Sequence, residues 1–129
     1  TPHAGEFARL SGIRDAAPEQ LMQFAAAQRC ILLYKGHRTL IAAPDGALYR
    51  NHSGNPGMAK GGSGDVLAGM LVSLCGQGIP AVQAACFAAW LHGRAGDLAA
   101  NSLSEYGMTP SDMLQLLPTL LKRYNTREW

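Results

Sequence analysis

Apolar residues in the first third of the chain recur at helical spacing and then as a continuous run. In residues 1–10 they lie three apart after a proline, and Gly12 follows, which predicts a short helix ending near Gly12. Helical spacing returns over residues 18–29 behind Pro18 and predicts a second helix. Residues 30–34 are apolar and rich in β-branched and aromatic character, which is typical of a strand buried on both faces of a parallel sheet.

The middle of the chain has the pattern of a β-hairpin. Residues 39–43 and 47–50 are short strand-like runs, and Pro44-Asp45-Gly46 joins them. An Asp-Gly pair between two such runs is a strong hairpin signal, since its backbone favours the tight turns that hairpins use.

Three helices are predicted in the second half. Residues 65–76 and 81–100 are apolar almost all round, as in buried helices. Glycines and a proline in residues 76–80 separate them, so a helical hairpin is expected. A last helix follows over residues 109–121, with Thr109 as its N-cap.

Composition narrows the range of functions. The chain has 129 residues, 47% of them hydrophobic, which is enough for one globular domain. The net charge is +2 with scattered lysines and arginines, which argues against nucleic acid as a partner. The longest apolar run, residues 84–91, is far shorter than the roughly 18 residues of a membrane span, and no charged-then-apolar leader opens the sequence. We therefore expect a cytoplasmic protein without a membrane partner.

The cysteines and the two ends complete the general picture. Cys30, Cys75 and Cys86 are odd in number and lack C-x-x-C spacing, so reduced, buried thiols are expected in place of disulfides or metal ligands. The sequence opens without Met, inside an apparent motif, which predicts that residues 1–129 are part of a larger domain. Residues 124–129 are expected to be a frayed tail.

Residues 54–70 carry the strongest chemical signal. They hold six of the 15 glycines and pass from a loop into a helix, where unpaired backbone N–H groups attract anions. Neither a P-loop nor a dinucleotide-binding fingerprint is present. Asp65 would lie in or just before the first turn, where residue type alone leaves two roles open: a helix cap or a catalytic carboxylate.

Other candidate residues are ambiguous when taken singly. His3 and Glu6 lie near the predicted first helix start, as capping or as binding side chains. Lys35 follows a strand, at the edge of the sheet where ligands dock, but is equally compatible with a solvated strand end. His52 is interpreted as a loop residue, and the small residues of the 81–100 helix as packing residues.

Four segments, residues 1–6, 35–39, 55–67 and 92–97, resemble one family and occur in the order that the family has them. Gly-x-Gly-Asp at residues 62–65 resembles the ribokinase-like superfamily, and Asn-Pro-Gly-Met-Ala at 55–59 narrows the resemblance to its NAD(P)H-hydrate dehydratases. Thr-Pro-His-x-Gly-Glu at 1–6, Lys-Gly-x-x-Thr at 35–39 and the segment 92–97 agree with that family, although we assign 92–97 to packing. The resemblance implies a three-layer ribokinase-like α/β fold, of which this chain would be the C-terminal half.

The resemblance also implies roles for individual residues. Asp65 would be the general base that accepts the proton of the substrate hydroxyl. The nucleotide would contact Lys35, Gly36, His37, Arg38, Thr39, Asn55, Gly57, Met58, Ala59, Lys60, Gly61, Gly62, Ser63 and Gly64. The hydrated nicotinamide substrate (NADHX or NADPHX) would contact Thr1, Pro2, His3, Gly5, Glu6 and Asp65. ADP or ATP and Mg²⁺ would be the cofactors, with no metal ligand assigned to this chain.

Two other functions remain open at this point. The Gly-x-Gly-Asp loop is shared with sugar and vitamin-precursor kinases, so a small-molecule kinase is one alternative. A half-domain that binds nucleotide without activity of its own is the other. The resemblance allows an NAD(P)H-hydrate epimerase domain upstream. A half sheet would expose apolar surface, so we expect self-association into a homo-oligomer.

Overall fold

The computed structural model describes residues 1–124, which form five helices and three strands. The helices are α1 (Ala4–Ser11), α2 (Pro18–Gln28), α3 (Ser63–Gly76), α4 (Ala81–Gly107) and α5 (Pro110–Tyr124), and the strands are β1 (Leu32–Tyr34), β2 (Leu40–Ala42) and β3 (Leu48–Arg50). A 3₁₀ turn, Pro56–Met58, lies between β3 and α3. The predicted tail, beyond Tyr124, lies outside the described residues.

The three strands form an antiparallel sheet in the order β1-β2-β3. Ile41 in the central strand pairs with Leu33 on one side and Tyr49 on the other. The expected hairpin is confirmed, whereas the parallel pairing predicted for residues 30–34 is wrong. A parallel crossover needs a dozen or more residues, and the connection from β1 to β2 is far shorter. Parallel pairing occurs only as a single bridge between His3 and Lys35 within residues 1–124.

The sheet lies between two helical layers. Leu32 and Ala42 pack on one face with Phe7 of α1 and with side chains of α2. Leu33 and Ile41 point to the opposite face and join the larger core formed with α3, α4 and α5. This alternation is what a strand buried on both faces produces. The predicted burial of β1 and the three-layer α/β architecture are therefore confirmed.

Helices α3 and α4 form the expected helical hairpin. The small residues of α4 are buried, namely Ala84, Ala85, Ala88, Ala89, Gly93 and Ala95. The helix runs seven residues past its predicted end at 100, to Gly107. The apolar pattern on which the prediction relied stops at residue 100, while the exposed polar segment after it is still helical. Ser104 interrupts it with φ 68° and ψ 162°. Across residues 1–124, none of the helices has the length and hydropathy of a membrane span.

Local signals set the helix ends as predicted. Gly12 ends α1 in a left-handed conformation, with φ 76°. Before α5, the Thr109 N–H and hydroxyl donate to Asp112 at 2.7 and 2.6 Å. These bonds lower the pKa of the Asp112 carboxyl, with the hydroxyl as the larger cause.

The cysteines depart from expectation at one position. All three are free, as predicted, and Cys30 and Cys86 are half-buried. Cys75 is exposed near the end of α3, so its predicted burial is wrong. A helix that looks apolar all round still has a solvent side when it packs at the edge of the core, and Cys75 lies on that side.

Candidate functional site

The glycine-rich loop ends in a helix start with unpaired amides. Gly62 is the N-cap of α3 at φ 92°, a conformation that favours glycine, and it has no side chain to close the turn. Within residues 1–124, the N–H groups of Gly61, Gly62, Gly64 and Asp65 have no hydrogen-bond acceptor. The Ser63 N–H is different, since it donates to the Lys60 carbonyl at 3.2 Å. Four donors at the positive end of a helix form an anion-binding surface.

Asp65 lies exposed in the first turn of α3. Its carboxylate makes no hydrogen bond or ion pair with any residue from 1 to 124. The capping interpretation of Asp65 is therefore wrong. The carboxylate stands free beside the unpaired amides, where it can accept a proton from a bound molecule.

Lys35 joins the first motif to the glycine loop. Its backbone N–H donates to the Pro2 carbonyl at 2.8 Å, and it forms the parallel bridge with His3. Its Nζ lies 3.5 Å from Glu6 Oε2. A methyl group on Gly64 would lie 3.1 Å from the same Nζ, so the ammonium is next to the start of α3. Three segments that are distant in sequence therefore meet at one cation.

His3 and Glu6 form a capping box at the start of α1. The His3 N–H donates to Glu6 Oε2 at 2.8 Å, and the Glu6 N–H donates to His3 Nδ1 at 3.2 Å. Because Nδ1 accepts, neutral His3 carries its proton on Nε2. The bond from the His3 backbone is the main cause that lowers the pKa of Glu6. Gly5 lies beneath the His3 ring. A Cβ atom added to Gly5 would lie 3.1 Å from His3 Cε1, so a larger residue there would push the ring outward.

The loop from Lys35 to Thr39 is closed by its own bonds. Thr39 Oγ1 accepts from the Gly36 N–H at 3.4 Å and donates to the Gly36 carbonyl at 3.2 Å. Arg38 adopts a left-handed φ of 58°. The exposed His37 and Arg38 side chains have no hydrogen-bonding or ionic partner in the described part of the chain. The nucleotide contacts that the resemblance implied for these two residues stay a prediction.

Helix α4 holds the beginning of the glycine loop. Asp97 accepts from the Gly54 N–H and from Asn55 Nδ2, each at 3.2 Å. The Asn55 side chain in turn accepts from the Gly57 N–H at 3.0 Å. Sequence reasoning assigned residues 92–97 to packing and missed this role. An acid in an otherwise apolar helix was the available signal.

The loop also fits the α4 surface closely. A Cβ on Gly57 would lie 2.7 Å from the Glu105 Cα. Met58 occupies the space left by Gly96, and Gly93 lies directly against Ser53. The packing assignment of residues 92–97 is therefore correct for its glycines. Residues Asn55, Gly57 and Met58 shape the loop from this side.

Lys60 and Ala59 make hydrogen bonds that fix the glycine loop. The Lys60 ammonium donates to the carbonyls of Glu105, Tyr106 and Met108 at 2.9, 2.9 and 2.5 Å. All three of its hydrogens are used at the end of α4. The Ala59 N–H closes the 3₁₀ turn. The Lys60 ammonium thus ties the glycine loop to the end of α4. The nucleotide contact that the resemblance implied for Lys60 stays a prediction.

His92 contacts the start of α3 from α4. Its Nε2 lies 3.5 Å from Ser63 Oγ, and both residues are buried. The Ser63 side chain thus faces α4, and its N–H is paired with the Lys60 carbonyl. The nucleotide contact that the resemblance implied for Ser63 stays a prediction. Burial lowers the pKa of His92, and its bond to Ser63 opposes that shift to a smaller extent. Folding therefore favours the neutral imidazole.

We expect this histidine to make stability depend on pH. Because the folded chain holds His92 neutral, the unfolded chain binds more protons below its ordinary pKa of 6.5. The free energy of unfolding should therefore fall as the pH drops below 6.5. Urea unfolding at several pH values measures the slope, and His92→Gln should remove that part of it. An equal slope in both proteins would contradict the expectation.

A groove of about 500 Å³ lies between β3 and α4. Its lining includes Arg50, His52, Trp90, Arg94 and Asp97. His52 is exposed in a loop, as predicted, and faces this groove. The groove shares Asp97 with the loop anchor but contains neither Asp65 nor Lys35.

Solved structures define the class of the fold. A ribokinase-like superfamily protein from Enterococcus faecalis matches with a TM-score of 0.89 at 34% identity, covering 98% of this chain and 44% of that one. The ADP/ATP-dependent NAD(P)H-hydrate dehydratase from Bacillus subtilis, co-crystallised with ATP and Mg²⁺, matches with a TM-score of 0.91 at 32% identity. The match covers 96% of this chain and 47% of that one. The fold is ribokinase-like.

The sequence profile of the NAD(P)H-hydrate dehydratase family matches residues 1–119, and the chain belongs to this family. The bifunctional NAD(P)H-hydrate repair enzyme Nnr of Moorella thermoacetica is 46% identical over 127 residues, which are 95% of this chain and 24% of that protein. The ADP-dependent (S)-NAD(P)H-hydrate dehydratase of Neisseria meningitidis is 46% identical over 108 residues, which are 79% of this chain and 36% of that protein. The chain thus spans less than half the length of these relatives.

Proposed function

We propose that the protein carrying this chain dehydrates the hydrated cofactors NADHX and NADPHX back to NADH and NADPH at the expense of ADP or ATP. The observation that carries the proposal is the free Asp65 carboxylate beside the unpaired amides of α3 and the Lys35 ammonium. Family membership and the names of the relatives support the same reaction. An acid next to an anion site suits proton removal coupled to phosphoryl transfer.

The phosphates of ADP or ATP would bind at the start of α3. The Gly61, Gly62 and Gly64 amides offer donors there, and Lys35 supplies a positive charge. Residues 1–124 contain no group of three His, Cys, Asp or Glu side chains able to hold a metal ion. Mg²⁺ would be carried mainly by the phosphates and water, as is common for that ion.

The reaction begins at the hydroxyl of the hydrated nicotinamide ring. Asp65 accepts the hydroxyl proton while the oxygen bonds to the terminal phosphorus and the shortened nucleotide leaves. The amides at the start of α3 stabilise the charge on the transferring group. The ring C–O bond then breaks with loss of inorganic phosphate, and a proton leaves the adjacent carbon to form the ring double bond. Phosphorylation thus replaces hydroxide by a better leaving group.

The direct test mixes the intact protein with NADPH hydrate and either ADP or ATP. The proposal expects NADPH and inorganic phosphate in equal amounts. A phosphorylated alcohol that accumulates in place of NADPH would replace it with the kinase alternative. Which nucleotide supports the faster turnover identifies the phosphoryl donor.

A second candidate, a nucleotide-binding half-domain without activity, is favoured by one observation: the chain spans 24% to 48% of the length of its relatives. Calorimetry of the isolated chain with ADP, ATP and NADPH hydrate separates the two. Tight nucleotide binding together with turnover would exclude the inactive half-domain. Binding without turnover would support it for this chain alone.

The surroundings of the reaction form part of the proposal. Residues 1–129 would be the C-terminal half of one dehydratase domain, in a cytoplasmic protein with an epimerase domain upstream. Relatives named bifunctional repair enzymes support the additional domain. Exposed apolar side chains, among them Leu10, Val72 and Tyr106, support self-association. Light scattering of the intact protein measures its oligomeric state.

A further inference from the structure

The carboxylate of Glu6 is fixed by the start of α1. Its Oε2 accepts the His3 N–H at 2.8 Å, and its Oε1 lies 3.5 Å from His3 Nε2. The side chain is 43% exposed, yet these contacts restrict it to one orientation. Glu6 thus places an anion at the surface, with its carboxylate bonded to the backbone next to it.

Lys35 differs from Glu6 in what fixes its charge. Its backbone is held by the bond to Pro2, but its ammonium sits at the end of a flexible four-carbon chain. The one carboxylate within ion-pair distance among residues 1–124 is Glu6, at 3.5 Å. A free lysine side chain loses much rotamer entropy on being ordered. A neighbour that orders it beforehand lowers that cost when a ligand binds.

We propose that Glu6 is a positioning residue that holds the Lys35 ammonium at the start of α3, ready for the phosphates of the nucleotide. This inference rests on the nucleotide site of the proposed function. The resemblance implied that Glu6 contacts the substrate, whereas this proposal gives Glu6 a role in nucleotide binding. Glu6 acts there through Lys35 and makes no contact with the nucleotide itself.

Glu6 has two effects on an incoming phosphate, and they differ in sign. Ordering Lys35 strengthens phosphate binding, whereas the negative charge of Glu6 repels the phosphate. The repulsion acts at an exposed site and is screened by salt, while the ordering of the lysine is retained by the short contact. The positioning effect therefore dominates at physiological ionic strength.

The test is a double-mutant cycle on ADP binding in the intact protein, measured by calorimetry without substrate. Glu6→Gln keeps an oxygen for the His3 N–H, so the capping box and α1 remain. Lys35→Met should weaken ADP binding roughly tenfold, and Glu6→Gln about three- to fivefold. In the Lys35→Met background, Glu6→Gln should no longer weaken ADP binding. Glu19→Gln, on the exposed side of α2, is the matched control and should bind ADP as the unmodified protein does.

Steady-state kinetics provides a second readout. Glu6→Gln should raise the KM for the nucleotide and leave the KM for the hydrate unchanged. Unchanged or tighter ADP binding, additive effects in the cycle, or a rise in the hydrate KM alone would each overturn the positioning role. Nucleotide-dependent turnover retained in the variants would leave the proposed function standing. If the unmodified protein bound neither ADP nor ATP, both proposals would fail together.

Discussion

Replacing Asp65 by Asn in the intact protein is expected to lower hydrate turnover by about 10² to 10⁴-fold. The Asn side chain has nearly the same shape but cannot accept the hydroxyl proton. Binding of ADP or ATP should change little, because the backbone amides and Lys35 are unaffected. Turnover at saturating nucleotide measures the first effect, and calorimetry measures the second.

Asp45→Asn is a matched control for that substitution. Asp45 lies exposed in the turn between β2 and β3, where its Oδ1 accepts from the Ala47 N–H at 3.0 Å. Asparagine makes the same bond and suits the same turn, so full activity is expected. Full turnover by the Asp65 variant would remove Asp65 as the base. Loss of nucleotide binding together with turnover would instead make it a nucleotide contact.

Gly57→Ala is expected to be the more damaging of two glycine substitutions for stability. The added methyl group would lie 2.7 Å from the Glu105 Cα and carbonyl oxygen and 2.8 Å from Met108 Sδ. Two of those neighbours are backbone atoms, which cannot move aside without shifting the end of α4. Overpacking of this kind costs about 1–3 kcal/mol. Chemical denaturation of the variant measures the loss.

Gly69→Ala gives the opposite expectation. Gly69 lies in the middle of α3 on its exposed side, and a methyl group there meets no atom within 4 Å. Alanine in a helix interior stabilises by about 0.5–1 kcal/mol relative to glycine. If both variants were equally stable, the close contact of Gly57 with α4 would not exist in solution.

Local sequence signals predicted the parts of the fold that depend on a few neighbouring residues. The end of α1 at Gly12, the hairpin turn at residues 44–46 and the cap at Thr109 all follow from backbone preferences or short side-chain bonds. The direction in which the strands pair does not follow from such local signals. A short apolar run such as residues 30–34 suits either pairing, and only its partner strands decide.

The candidate site likewise contains residues that the sequence predicted and residues that it did not. Motif resemblance placed His3, Lys35 and Gly64 in one pocket, and the structure brings them together. It did not reveal that Asp97 and Lys60 anchor the loop. Their bonds span 42 to 48 residues along the chain, so sequence spacing does not indicate which residues they bind.

The two anchors of the glycine loop have a consequence for how this sequence can change. Asp97 holds the loop at Gly54, and the carbonyls at the end of α4 hold it at Lys60. One residue inserted into the helical stretch of α4 between Asp97 and Ser104 would rotate one anchor relative to the other by about 100° and shift it by about 1.5 Å. The loop could then satisfy only one of them. The exposed side chains of residues 101–105 can therefore vary widely, while the number of residues in that stretch is fixed.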